Sequence, residues 1–187
     1  MSESRTIHAR PEVIEAMSAI WRLLGTLRVE AAFVGAAATS AWLDRPIDAT
    51  SVDLVAMLSP DGVHQVPMMA GNRGFLVERD TVEAARELDL VPLGYPTGGG
   101  TIRVHVLLAS NALYARMIRE AVDARLSEES VRVVNAEDLA LLLLMTESDE
   151  SEHQLRELRE KQREAFDLAR FNDKLASIGL ASKRISE

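Results

Sequence analysis

Hydrophobic and polar positions alternate along this chain in a pattern that switches period repeatedly. Behind Pro11, Val13, Ile14, Met17, Ile20, Trp21 and Leu24 recur at helical spacing, which predicts a helix over 11–24 broken by Gly25. The apolar run 31–34 reads as a buried strand ending at Gly35, and the small residues Ala36 to Ser40 begin a helix packed close to the sheet. Residues 44–51 form a loop, 52–58 a second strand, and Ser59-Pro60-Asp61-Gly62 a turn. Over 63–78 the pattern is weak, with a short strand at 74–77. Asp80 followed by Glu83 resembles a capping box for a helix running toward Leu90.

Pro96 and three consecutive glycines make 94–100 a mobile connection. Ile102, Val104 and Val106 then alternate against Arg103 and His105, giving a strand over 101–109. From Ser110 a helix sets Leu113, Met117 and Ala121 against Arg116, Arg119, Glu120 and Asp123. A strand over 131–134 leads to Asn135, which suits the cap of a helix with Asp138 in the reciprocal position. That helix holds Leu139 and the run 141–145, apolar all round and therefore buried. Residues 149–178 are charged helical sequence, in which Glu152 faces Arg156 and Glu157 faces Lys161.

Strands alternating with helices predict an α/β (α+β) fold: a mixed sheet flanked by helices over 1–134, followed by a helical segment over 135–187. The 187 residues suffice for one well-buried core with such an appendage. No cysteine is present, which excludes disulfides, a thiol nucleophile and zinc–thiolate chemistry. No apolar run approaches the roughly 20 residues needed to cross a bilayer, so no membrane partner is expected. The opening stretch MSESRTIHARPE lacks the apolar core of a secretory signal, and the cytoplasm is the expected address. A formal net charge of −8 disfavours extended nucleic acid as the main partner but leaves a small anion held by backbone amides open.

The phosphate-loop, dinucleotide, nucleophile-elbow and H-E-x-x-H patterns are all absent, and His8, His64, His105 and His153 have no metal-ligand spacing. What stands out is Phe33 to Val55: a strand delivers Gly35, a small-residue helix follows, and a second strand carries Asp53. A glycine at a helix start lets a phosphate approach the amides and the positive end of the helix dipole. An acid on the neighbouring strand suits the divalent ion that phosphates carry. Close helix–strand packing is the structural alternative for Gly35, and pairing with Arg103 or His105 is the alternative for Asp53.

This segment resembles the signature of the nucleotidyltransferase superfamily that includes DNA polymerase β. It is most similar to small bacterial members, the type E abortive-infection toxins and minimal nucleotidyltransferases. Gly35-Ala36-Ala37-Ala38 stands in for the family's G-[GS]-x-A, and Arg45 with 48–54 for its R-x-T-x-D-[IV]-D-L strand, with Arg45 and Thr50 out of register. Residues 107–126, Val131 to Leu139, and Glu164 to Leu168 resemble later family segments, so the likeness spans most of 28–178. It implies the fold, and as ancestral reaction the Mg2+-dependent transfer of a nucleotidyl group from an NTP to a small-molecule, RNA or protein acceptor. Asp53 would be the catalytic and metal-binding carboxylate. Gly35, Ala36, Thr39, Ser40 and Ser51 would contact the nucleotide.

Departures from the pattern bear on activity. Ser51 occupies the place of the first metal aspartate, and the strand expected to supply the third carboxylate offers Arg103 and His105 instead. Asp44 or Asp48 folding in from the loop is the available substitute. Two-metal catalysis needs several anionic ligands. The sequence therefore predicts a degenerate centre with weakened or lost activity, or alternatively a non-catalytic interaction or ligand-sensing module. A protein partner or a homo-oligomer is compatible with either; an unrelated α/β enzyme is the third alternative.

Overall fold

A computed structural model describes residues 5–163 and 165–180. Among the described residues the chain forms, in order, β1(Arg5–Thr6), α1(Pro11–Thr26), β2(Ala31–Phe33), α2(Gly35–Leu43), β3(Ser51–Ala56), α3(Pro60–Asn72) and α4(Thr81–Leu88). There follow β4(Leu90–Thr97), β5(Gly100–Leu108), α5(Ala112–Arg119), β6(Val122–Leu126), β7(Glu129–Val133), α6(Ala136–Thr146), α7(Asp149–Lys161) and α8(Leu168–Ser177). The strands make one mixed sheet in the order β1-β6-β7-β2-β3-β5-β4. The chain divides into two compact units, residues 1–134 and 135–187.

In the first unit β3 is an interior strand, antiparallel to β2 and parallel to β5. Val52, Leu54 and Ala56 are buried on one side and Val55 on the other, so both faces of the sheet are covered around it. Phe33 on β2 is fully buried and stacks on Trp21 of α1 at 5.5 Å between ring centroids. Trp42 on α2 is also buried and donates its indole N–H to the Val134 carbonyl at 2.8 Å. These contacts lock α1 and α2 onto the strands that carry the candidate site.

Several elements differ from the sequence pattern, each for a local reason. α1 runs through Gly25 to Thr26, since a glycine inside a helix costs only about 1 kcal/mol against alanine; the helix instead closes at Arg28, which takes the left-handed conformation (φ 55°). The expected turn at Ser59 to Gly62 is the start of α3, with Ser59 Oγ accepting from the Gly62 N–H at 3.1 Å and Pro60 at the first helical position. Turn and helix-cap chemistry share these residues, so the pattern alone does not separate them. The short strand at 74–77 shrinks to a single bridge between Leu76 and Gly94.

Residues 94–100 are strand and tight turn rather than an irregular connection. They complete a hairpin in which Thr97 pairs with Gly100 and Pro92 and Pro96 lie within β4. β4 is the edge of the sheet, where a missing proline N–H breaks no ladder bond. Asp80 makes no side-chain cap because its backbone (φ −94°, ψ 6°) is not extended, and α4 stops at Leu88. On β4, Tyr95 donates to Glu15 of α1 at 3.0 Å; desolvation, reinforced by that carboxylate, holds its phenol above the ordinary value.

The helix from Ser110 ends at Arg119, and 122–126 is strand β6 rather than helix. Val122, Ala124 and Leu126 alternate with Asp123 and Arg125, a period-two signal that the preceding amphipathic run masked.

In the second unit Asn135 caps α6 as expected, its Oδ1 accepting from the Asp138 N–H at 2.8 Å. α6 is buried along most of its length, but Met145 near its end is 48% exposed. The charged stretch 149–178 is two helices, α7 and α8, the second capped by Asp167 accepting from the Arg170 N–H. Arg156 reaches the Glu152 carbonyl at 3.4 Å rather than its carboxylate. Of the segment 164–168 that resembles a family helix, Glu164 lies outside the described residues. Lys174 of α8 and Asp138 of α6 form a buried ion pair at 2.6 Å. No helix of the described residues is long and apolar enough to cross a membrane.

Candidate nucleotide site

The candidate site is assembled from β3, β5 and the β2–α2 turn. The parallel register of β3 and β5 sets Ser51 opposite Arg103 and Asp53 opposite His105. Alternation along β3 points Ser51 and Asp53 to the same side of the sheet. Asp53 Oδ1 meets His105 Nδ1 at 2.7 Å, and Ser51 Oγ donates to Asp53 Oδ2 at 2.7 Å. With an ionised carboxylate as acceptor, His105 Nδ1 carries the proton and donates it. Both side chains are about three-quarters buried, at 25% exposed for Asp53 and 29% for His105.

The turn closes over this cluster. Val34 donates its N–H to the Asp53 carbonyl at 3.0 Å, and Gly35 opens α2 with φ +54°. A Cβ at Gly35 would lie 3.4 Å from Asp53 Oδ2, in ordinary van der Waals contact with the carboxylate, so it is the left-handed backbone rather than space that favours glycine here. The first amides of α2 have no intrahelical acceptor, and they place the positive end of the helix dipole beside Asp53. An anion is favoured there, and Asp53 already supplies one. Substituting Gly35→Ala is expected to cost about 1–2 kcal/mol, the penalty of a left-handed conformation for a residue with a Cβ. Denaturant unfolding measures it, and a change within about 0.3 kcal/mol would mean that the turn does not require glycine.

Other residues singled out in the sequence are engaged elsewhere. Thr39 is buried and donates to the Gly35 carbonyl at 3.0 Å. Ser40 is buried, accepts from the His8 N–H at 2.8 Å and has the carbonyls of His8 (2.9 Å) and Arg45 (2.8 Å) as alternative acceptors for its one proton. Their hydroxyls serve the fold around α2. Arg103 is exposed and stands opposite Ser51, so of the two basic residues on β5 it is His105 that meets Asp53. Ala36 is half-buried on the first turn of α2.

Neither loop acid joins the cluster as a substitute ligand. Asp44 pairs with His8 at 3.0 Å, and Asp48 lies 3.8 Å from Arg10. Among the described residues no group of three His, Cys, Asp or Glu side chains could hold a metal ion. One carboxylate with both oxygens already engaged does not fit a metal pair. The pattern did not reveal a polar cavity of about 590 Å³ next along the same strand ends, where Arg10, Glu12, Thr50 and Thr101 meet the Gly98–Gly100 turn. Its walls come from three separate stretches of chain, and the glycine run was its single sequence signal.

No protein-family model matches this sequence, and a comparison with curated proteins finds no match. Solved structures do match it. An antigenic nucleotidyltransferase-like protein from Paracoccidioides brasiliensis superposes with a TM-score of 0.56 at 14% identity, covering 97% of this chain and 95% of its own. The fold is nucleotidyltransferase-like. The same nucleotidyltransferase-like arrangement recurs in ANT(2")-Ia in complex with adenylyl-2"-tobramycin, at TM-score 0.56, 12% identity, and 89% and 96% coverage. It recurs again in the lincosamide antibiotic adenylyltransferase LnuA bound to lincomycin, at TM-score 0.52, 10% identity, and 78% and 95% coverage. At these identities the likeness concerns the fold alone.

Proposed function

We propose that this chain binds a nucleotide through its phosphates at the Gly35 turn and that its ancestral nucleotidyl transfer is weakened or lost. One observation carries the reading: the single acid of the cluster, Asp53, has one oxygen on His105 and the other on Ser51. In the signature that this segment resembles, those two neighbouring positions are carboxylates. A serine donor and an imidazole donor satisfy both oxygens of Asp53 without an ion. The subgroup that the motifs fit best is that of the type E abortive-infection toxins and minimal nucleotidyltransferases. The neighbours that carry adenylyl-tobramycin and lincomycin make a small-molecule acceptor the first to try for any residual activity. The second reading, a non-catalytic sensing or interaction module, draws on the same engaged carboxylate.

Thermal unfolding with each NTP, with and without magnesium, tests this on the wild type and on Asp53→Asn. A ligand at about 100 times its dissociation constant adds roughly 2.7 kcal/mol, a shift of several degrees for a chain of this size. A shift independent of magnesium and retained in Asp53→Asn is the expected result. A shift that needs both magnesium and Asp53 would mean a working metal site and would reverse the proposal of lost activity. No shift with any nucleotide would sink the binding reading and turn attention to a protein partner.

A further inference from the structure

The second unit contains a cavity of its own. Arg156, Arg159 and Glu160 of α7, Arg163 just beyond it, Phe166 and the first residue of α8, Leu168, line a half-open pocket of about 570 Å³. That volume is in the range of small-ligand pockets, roughly 300–1,000 Å³. Among the described residues of its wall, three arginines stand against one glutamate, in a chain whose formal net charge is −8. A charge of one sign focused in a concave wall raises the local concentration of the opposite ion.

Helix electrostatics explain only part of this arrangement. Arg159 and Lys161 lie in the last turn of α7, where cations complement the dipole. Arg156 stands further back, and a dipole partner needs neither a cavity nor an aromatic wall. Phe166 supplies that wall: it is half-buried and its ring is held against Phe171 at 5.5 Å between centroids and 53°. Guanidinium forks match phosphate oxygens two at a time, and a fixed aromatic ring offers a stacking face for a base. An extended strand of nucleic acid is a poor occupant for one small basic cavity on an acidic chain.

We propose that this cavity is a second nucleotide site, with the arginines on the phosphates and Phe166 against the base. It is independent of the Gly35 reading. The test is equilibrium dialysis of the full chain with ATP and, separately, with tripolyphosphate. The variants are Arg156→Ala/Arg163→Ala, Phe166→Leu and Gly35→Ala. The arginine pair, exposed and outside the core, is expected to weaken ATP binding about tenfold or more, as loss of charge-assisted contacts does. Phe166→Leu should weaken ATP but not tripolyphosphate, and binding should fall as salt rises.

Loss in the arginine variant with Gly35→Ala unchanged supports the proposal even if the Gly35 site binds nothing. Loss in Gly35→Ala with the arginine variant unchanged overturns it and leaves the Gly35 reading standing. Absence of ATP binding, or equal binding of ATP and tripolyphosphate that ignores Phe166→Leu, also overturns it.

Discussion

Lys174→Met is expected to destabilise the second unit by about 3–5 kcal/mol, the range for breaking a buried ion pair by removing one partner. Lys174 is 3% exposed and Asp138 0%, and their contact is 2.6 Å. The ammonium also reaches Asn135 Oδ1 at 3.4 Å, the same atom that caps α6. Methionine keeps the length of the stem but removes the charge, leaving the Asp138 carboxylate buried without its cation. Lys174→Met/Asp138→Leu is expected to recover most of the loss, because an apolar pair of similar volume avoids the desolvation of both ions. Both tryptophans lie in the first unit, so fluorescence misses this transition. Far-ultraviolet circular dichroism and amide exchange in α6 and α8 read it. A single-variant loss below about 1 kcal/mol would mean that the pair behaves like a surface salt bridge.

Phe33→Ala is the second large effect, at about 3–5 kcal/mol for a fully buried aromatic truncated to a methyl group. The ring stacks on Trp21, and the Phe33 carbonyl accepts the Val134 N–H at 3.1 Å. Phe33 also sits two residues before Gly35, so the cavity opens beneath the turn that rests on Asp53. Weaker nucleotide binding should therefore accompany the loss of stability. Phe33→Leu is the control, expected to cost about 1–1.5 kcal/mol because most of the volume is kept. Tryptophan fluorescence during urea unfolding reports both variants, since Trp21 is the stacking partner. If Ala costs no more than Leu, the ring is not a packing centre.

Much of the architecture is legible in local pattern. The helical spacing behind Pro11, the alternation from Ile102 to Val106 and the cap at Asn135 each specify an element through its own residues. Where local pattern fails, two structures compete for the same chemistry. Ser59-Pro60-Asp61-Gly62 suits a turn as well as a helix start, and the apolar Val66 and Ala70 of α3 tip the balance by being buried. Pro92 and Pro96 argue against a strand until the sheet order puts β4 at an edge. Strand β6 is hidden because its alternation follows at once on an amphipathic helix, and only pairing with β7 and β1 selects it.

The candidate site divides in the same way. From the sequence by itself come the residue types: a glycine at a helix start, one acid on the next strand, a serine two positions before it, and an arginine and a histidine on a third strand. Those identities remove carboxylates from the expected strand positions, but only the fold shows that Asp44 and Asp48, the acids that could have replaced them, lie against His8 and Arg10 instead. Tertiary structure decided the pairing. The β3–β5 register chose His105 over Arg103 as the partner of Asp53, and the burial of α2 committed Thr39 and Ser40 to backbone contacts. It also tied Asp44 to His8 and placed Asp48 near Arg10, and gathered the arginines of α7 around Phe166. Local sequence sets what each residue can donate or accept, whereas which atoms come within 3 Å depends on strand order and helix packing, properties that no short window of the chain contains.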